Sequence, residues 1–164
     1  MKMYDDTINS ASKQYGIPVN VIKAVITVES NWKPNATRAE PQINDTSYGL
    51  MQVLVKTGRW VTNNPKLTPN ELMNPTLNIL VGVRYLAYLK KRFKTVDRML
   101  ASYNAGKPYM SKKDPTKFTN QRYVDKVRHA MGKSKGKVKT GGVGKLGIAA
   151  AVSLTVVGLI FSTK

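Results

Sequence analysis

Glu29 is the residue in this sequence whose setting most suggests chemistry. It lies three residues after Ile26, four after Val25 and seven after Ile22. A helix through these positions puts its carboxyl at the end of an apolar stripe rather than on the wet face. Burial beside apolar groups raises a carboxyl pKa, because desolvation penalises the charged form. A general acid working near neutrality needs a value of roughly 6–7. The same spacing also suits a carboxylate satisfied by a lysine or by backbone amides, so periodicity alone leaves both readings open. Glu40 and Glu71 fall in polar connectors, where solvated surface is expected. There is no cysteine and His129 is the single histidine, which excludes disulfides, thiolate metal sites and a His-rich metal site. Neither a metal nor a cofactor is expected.

Three short clusters accompany the acid. Glu29-Ser30-Asn31-Trp32 ends a helix with an acid, a hydroxyl and an aromatic. Ser47-Tyr48-Gly49-Leu50-Met51-Gln52-Val53 follows a polar loop, and Ala101-Ser102-Tyr103-Asn104-Ala105-Gly106 closes a later helix. Each is weak alone, but their order and spacing are specific. Together they resemble the three signatures of the soluble lytic transglycosylase catalytic domain, a relative of goose-type lysozyme. The stretch Asn74 to Leu89, with its Asn-Pro and Tyr-Leu pairs, and Gln121-Arg122-Tyr123-Val124 extend the resemblance over roughly residues 5 to 130. The loop before Gly49 lacks the family's Ser-Pro-x-Gly lead-in.

The resemblance implies a lysozyme-like helical domain in which Glu29 is the single catalytic acid/base. It implies that Ser30 supports the local geometry, that Met51 and Gln52 line the sugar subsites beside the scissile bond, and that Gly49 lets backbone come close. Tyr103 would point its hydroxyl toward Glu29, Asn104 would hold the sugar or the loop, and Tyr123 would be wall or packing. The implied substrate is the peptidoglycan glycan strand, cut between N-acetylmuramic acid and N-acetylglucosamine with a 1,6-anhydro product. Most glycosidases use two carboxylates, so the near rival is a hydrolase with Asp45 activating water, although Asp45 can equally organise the turn before Ser47.

The elements that must position these residues read as mostly α. Gly16-Ile17-Pro18 separates a first helix from a second, whose apolar positions do not alternate as a strand's would. The residue before a proline resists the α conformation, so Trp32-Lys33-Pro34 is expected to end it. Residues 34 to 47 read as loop, Met51 to Trp60 as a short helix, and Asn63 to Pro69 as a connector. Asn74-Pro75 caps and opens a long, central helix to about Phe93. Thr95 is expected to cap a helix through Tyr103, and Thr119 one through Met131. No convincing strand is visible.

The 164 residues divide into a body of residues 1 to 131, a Lys/Gly-rich linker of 132 to 145, and an apolar segment. That segment, Leu146 to Phe161, is sixteen residues without a charge and spans ~24 Å as a helix, against a ~30 Å hydrocarbon core. Extended to residue 163, with flanking lysines snorkelling, it is expected to be a transmembrane helix. The rival, a buried core helix, has no use for a glycine-lysine leash. Of the net charge of +18, about +12 lies in the body and +6 after it. Such a balance favours polyanions and suggests, as a different class, a membrane-anchored nucleic-acid-binding or structural protein. Nucleic acid is not expected as the primary ligand, because the aromatics sit mainly at core spacing with no visible stacking platform.

The opening residues carry no secretory signal, and a basic leash keeps the body on the cytoplasmic side of a membrane, away from the wall. Delivery in a virion resolves that mismatch. The expected location is therefore the virion membrane of a phage with an internal membrane, among other virion proteins. A tail-anchored protein of the bacterial envelope is the alternative.

Overall fold

A computed structural model describes residues 2–133. Of the linker expected at 132–145, residues 134–145 lie outside the described residues, as does the apolar segment at 146–163, while Gly132 and Lys133 belong to the last described helix. Among the described residues no helix is long and apolar enough to cross a membrane.

Helix α1 (Asp5–Tyr15) ends on Gly16, whose left-handed φ of 67° lets its N–H reach Ser12 O at 2.9 Å. Helix α2 (Val19–Ser30) starts after Pro18 and buries Val21, Ile22, Ala24, Val25 and Ile26. It stops before the expected proline boundary, because Asn31 and Trp32 both adopt positive φ. A left-handed tryptophan is unusual. Here its indole N–H donates to Thr27 Oγ1 at 2.9 Å and its ring stacks on Tyr4 at 6.5 Å.

Beyond this turn the structure departs from the all-helical expectation. Strands β1 (Thr37–Glu40), β2 (Asp45–Tyr48) and β3 (Val53–Leu54) form an antiparallel sheet, with Thr37 paired to Tyr48 and Ser47 to Leu54. They are too short, and β1 too exposed, to display apolar alternation; the polar run at 34–47 is a hairpin rather than a loop. Helix α3 (Val55–Thr62) consequently begins four residues later than Met51. The intervening Gly49-Leu50-Met51-Gln52 turn has positive φ at both Gly49 and Gln52, which no helix tolerates.

The connector after α3 contains a short helix α4 (Pro69–Leu72), closed by a reciprocal capping box between Thr68 and Glu71. Thr68 N donates to Glu71 Oε2 at 2.7 Å, and this bond, with the hydroxyl bond beside it, lowers the Glu71 pKa. The Thr-x-x-Glu spacing with proline at the first helical position is a readable signal of this element.

Helix α5 (Pro75–Phe93) runs as expected, with the Asn74 side chain accepting from Leu77 N at 3.1 Å. It packs against α1, α3 and α6 (Val96–Ala105). Its Ile79, Val81, Val83, Leu86 and Leu89 join the single core cluster. Burying each such side chain is worth about 1.5–3 kcal/mol. Thr95 caps α6 by accepting from Arg98 N. Helix α7 (Gln121–Lys133) starts two residues beyond Thr119, whose N–H is bonded to Tyr109 O. It lies against α2 and α6, and this packing brings the end of the body to Glu29. The body is thus mostly helical, with a small sheet beside the last turn of α2.

Candidate functional site

Glu29 sits in the last turn of α2, half-buried, on the wall of a cavity of about 490 Å³. That volume suits a small-ligand cleft. The hairpin supplies Arg38, Glu40, Ser47 and Gln52 to the wall, and α5 and α6 supply Tyr85, Tyr103 and Asn104. Tyr123, from α7, donates its hydroxyl to Glu29 Oε1 at 2.7 Å.

The electrostatics follow from this enclosure. Desolvation raises the Glu29 pKa above the ordinary carboxyl range. The Tyr123 hydrogen bond and the positive charge of Arg38 pull it back down, and Glu40 pushes it up. Both phenols near it are driven well above the usual range, chiefly by their own burial and then by the Glu29 charge. They therefore act as hydrogen-bond donors and not as proton sources. Arg38 is held by Glu40 through an Nε–Oε1 contact of 2.6 Å.

The remaining expected residues are brought to the same region, several in a different capacity. Ser30, buried, reaches Leu50 O at 2.8 Å and ties the end of α2 to the turn. Gly49, at φ 74°, passes so close to α5 that an added Cβ would lie 2.5 Å from Asn78 Nδ2. Gln52 lines the cavity, but its amide N–H groups are engaged by Ala36 O and Gly49 O, and its Oε1 accepts from Ser47 at 3.0 Å. It clamps the hairpin. Asn104 lines the wall and accepts from Asn120 Nδ2 at 2.9 Å.

One expected placement is corrected. Met51 does not line the cavity: it is fully buried, directed at Gly82 of α5, where a Cβ would meet its sulfur at 2.5 Å. The Tyr103 hydroxyl lies close enough to Glu29 to feel its charge. It donates to Met51 O at 2.8 Å, because the non-helical turn leaves that carbonyl unpaired. The phenol on Glu29 is Tyr123, which sequence reasoning assigns to wall or packing.

Asn78, Arg38 and Glu40 are site residues that sequence reasoning misses. Asn78 is fully buried on α5; it accepts from Met51 N at 2.8 Å and donates to Tyr48 O and Leu72 O. A polar residue inside an otherwise apolar helical stripe is the signal available for it. Asp45, the second carboxylate considered from sequence, is not among the residues lining the cavity. It accepts from Thr46 N at 2.8 Å and from Lys56 N at 3.3 Å, which organises the start of β2.

Tyr123→Phe removes a donor that stabilises the Glu29 carboxylate. The Glu29 pKa should therefore rise, and the alkaline limb of the kcat/KM–pH profile should move to higher pH. An unmoved limb would mean that Tyr123 does not act on the acid.

Comparison with known proteins agrees with this architecture. The family model described as Transglycosylase SLT domain matches residues 6–125. Membrane-bound lytic murein transglycosylase E of Buchnera aphidicola is 28% identical over 101 residues, covering 58% of this chain and 43% of that protein. Membrane-bound lytic murein transglycosylase C of Edwardsiella ictaluri is 29% identical over 120 residues, covering 63% and 31%. A peptidoglycan-binding-like protein of Escherichia coli O157:H7 is 29% identical over 126 residues, covering 71% and 73%. The chain thus spans less than half the length of the two transglycosylases. Among solved structures, an inactive mutant of lytic transglycosylase Slt from Pseudomonas aeruginosa shares the fold, with a TM-score of 0.65 at 21% identity over 79% of this chain and 23% of that one. With most of the described body inside the family match, the chain belongs to the Transglycosylase SLT domain family.

Proposed function

We propose that this chain is a peptidoglycan lytic transglycosylase in which Glu29 serves as both acid and base. The observation that carries the proposal is a desolvated carboxyl, hydrogen-bonded by Tyr123, on the wall of a ligand-sized cavity. Glu29 delivers its proton to the glycosidic oxygen between N-acetylmuramic acid and N-acetylglucosamine as the bond from that oxygen to the muramic C1 breaks. The substrate's N-acetyl group stabilises the cationic centre. The Glu29 carboxylate then takes the proton of the muramic C6 hydroxyl while O6 bonds to C1, closing the 1,6-anhydro ring and regenerating the acid. One carboxyl suffices, because the substrate supplies its own nucleophile.

A second reading is hydrolysis, and it now rests on Glu40, which shares the cavity wall. The contact with Arg38 holds Glu40 in an ion pair, which favours a supporting role over activation of water. Mass spectrometry of muropeptides released from purified sacculi separates the two. Transglycosylation leaves anhydro ends, lighter by one water, and Glu40→Gln should leave that product unchanged. Hydrated ends from the parent chain, lost in Glu40→Gln, would establish the hydrolase.

The body is further proposed to work from a membrane, tethered by residues 146–163 through the leash at 132–145. The uncharged run of sixteen residues between lysines supports this. Co-flotation of the full chain with lipid vesicles, abolished by deleting 146–163, is the expected result. Because the basic leash favours the side of a membrane away from the wall, delivery within a virion is part of the same proposal. Cofractionation with purified virions tests it.

A further inference from the structure

Beside the Glu29 cavity lies a second one, of about 720 Å³, and the two share Thr57, Tyr85 and Gly106 as walls. They form one continuous trough, yet the second half differs in character. Trp60 and Tyr109 are each 56% exposed and Tyr88 39%, a concentration of surface aromatics that marks a binding site. This cluster stands apart from the aromatics that lie at core spacing. Lys56, Arg92 and Lys107 also line it, and none of its walls is Asp or Glu. Among the described residues no ion pair engages these three cations. Lys56 Nζ meets only the neutral carbonyls of Ile43 and Asn44, and the Arg92 guanidinium lies 5.6 Å from the Phe93 ring centre.

Resting on the transglycosylase reading, we infer that this second cavity binds the peptide-bearing portion of the glycan strand, with Trp60 and Tyr88 against a sugar ring and Lys56, Arg92 and Lys107 on stem-peptide carboxylates. Continuity with the Glu29 cavity places it on the path of the strand being cut. The uncompensated positive charge matches a carboxylate-rich branch. Trp60 and Tyr88 meet at 81° with centroids 4.6 Å apart. They make a corner into which a puckered ring and its substituents fit; Tyr85, also in the wall, lies within 11° of parallel to Tyr88 with centroids 6.5 Å apart.

The test measures binding by calorimetry to the full chain carrying Glu29→Gln, so that ligand is not consumed. The ligands are a disaccharide-tetrapeptide and the same disaccharide without peptide. Adding Lys56→Gln, Arg92→Gln and Lys107→Gln together should weaken the peptide-bearing ligand about tenfold and the peptide-free one less than about twofold. The charge-keeping set Lys56→Arg, Arg92→Lys and Lys107→Arg should retain the preference, which shrinks as salt rises. Trp60→Ala should weaken both ligands by a similar factor, on the order of tenfold. Equal losses for both ligands in the glutamine set, no loss for either, or competition by a single-stranded oligonucleotide at comparable affinity would each overturn the inference. If the parent chain failed to cleave sacculi while the peptide preference persisted, the enzymatic reading would fall and the subsite would stand. Cleavage without the preference would keep the enzyme and remove the subsite.

Discussion

Glu29→Gln is expected to slow peptidoglycan cleavage by about two to four decades, the usual worth of general acid–base catalysis, while the protein becomes slightly more stable at neutral pH. The second half of that expectation separates a catalytic loss from a folding defect. Desolvation raises the folded-state pKa of Glu29, so its contribution to stability is fully present below the unfolded value of about 4.3. That contribution is lost as pH rises through the folded pKa. A neutral glutamine never has to be desolvated as a charge, and its amide oxygen can still accept from Tyr123. Melting curves of the two proteins should therefore draw together in acid and diverge toward neutrality, with the variant the higher. Undiminished clearing of sacculi by Glu29→Gln would end the mechanism, and a large fall in its Tm would show that the carboxylate is structural.

Asn78→Ala should be among the most destabilising single changes in the body, at a cost of about 3–5 kcal/mol. Three backbone groups lose their partner at once: Met51 N, Tyr48 O and Leu72 O. Each buried orphan costs about 1–3 kcal/mol, and a small hole is left beside Gly49. For a domain of this size the Tm should fall on the order of 10–15 °C. The reach of this one amide explains the size of the effect. It ties α5 to the end of β2, to the turn carrying Gln52 and to the end of α4, so the floor of the cavity loses its anchor. Thermal denaturation within about 2 °C of the parent would show that water replaces the lost bonds.

The parts of this molecule that are legible in its sequence are those with a local cause. Asn74-Pro75 announces α5 because an N-cap and a first-turn proline act within four residues, and the stripe of Ile22, Val25 and Ile26 locates Glu29 at its end. The hairpin is not legible, since four-residue strands of Thr, Arg and Ala carry too little alternation to register. The start of α3 is displaced for a related reason: the positive φ of Gln52 is imposed by its amide bonds to Ala36 and Gly49, which no neighbouring residue predicts. The hydrogen bond of Tyr123 to Glu29 has a tertiary cause. Which hydroxyl bonds to the acid depends on how α7 packs on α2 and α6, and a carbonyl left over by the turn at Met51 claims that of Tyr103. Trp60 and Tyr88 sit on helices whose aromatics read as core, and only the packing of α3 beside α5 shows that their faces remain outside.

The pairing of Glu29 with Tyr123 spans ninety-four positions of the chain. During synthesis the acid is therefore made well before its phenol. Until α7 emerges and docks on α2, the Glu29 carboxyl stands without the hydroxyl that lowers its pKa. The environment of Glu29 is therefore complete only when the whole helical body is.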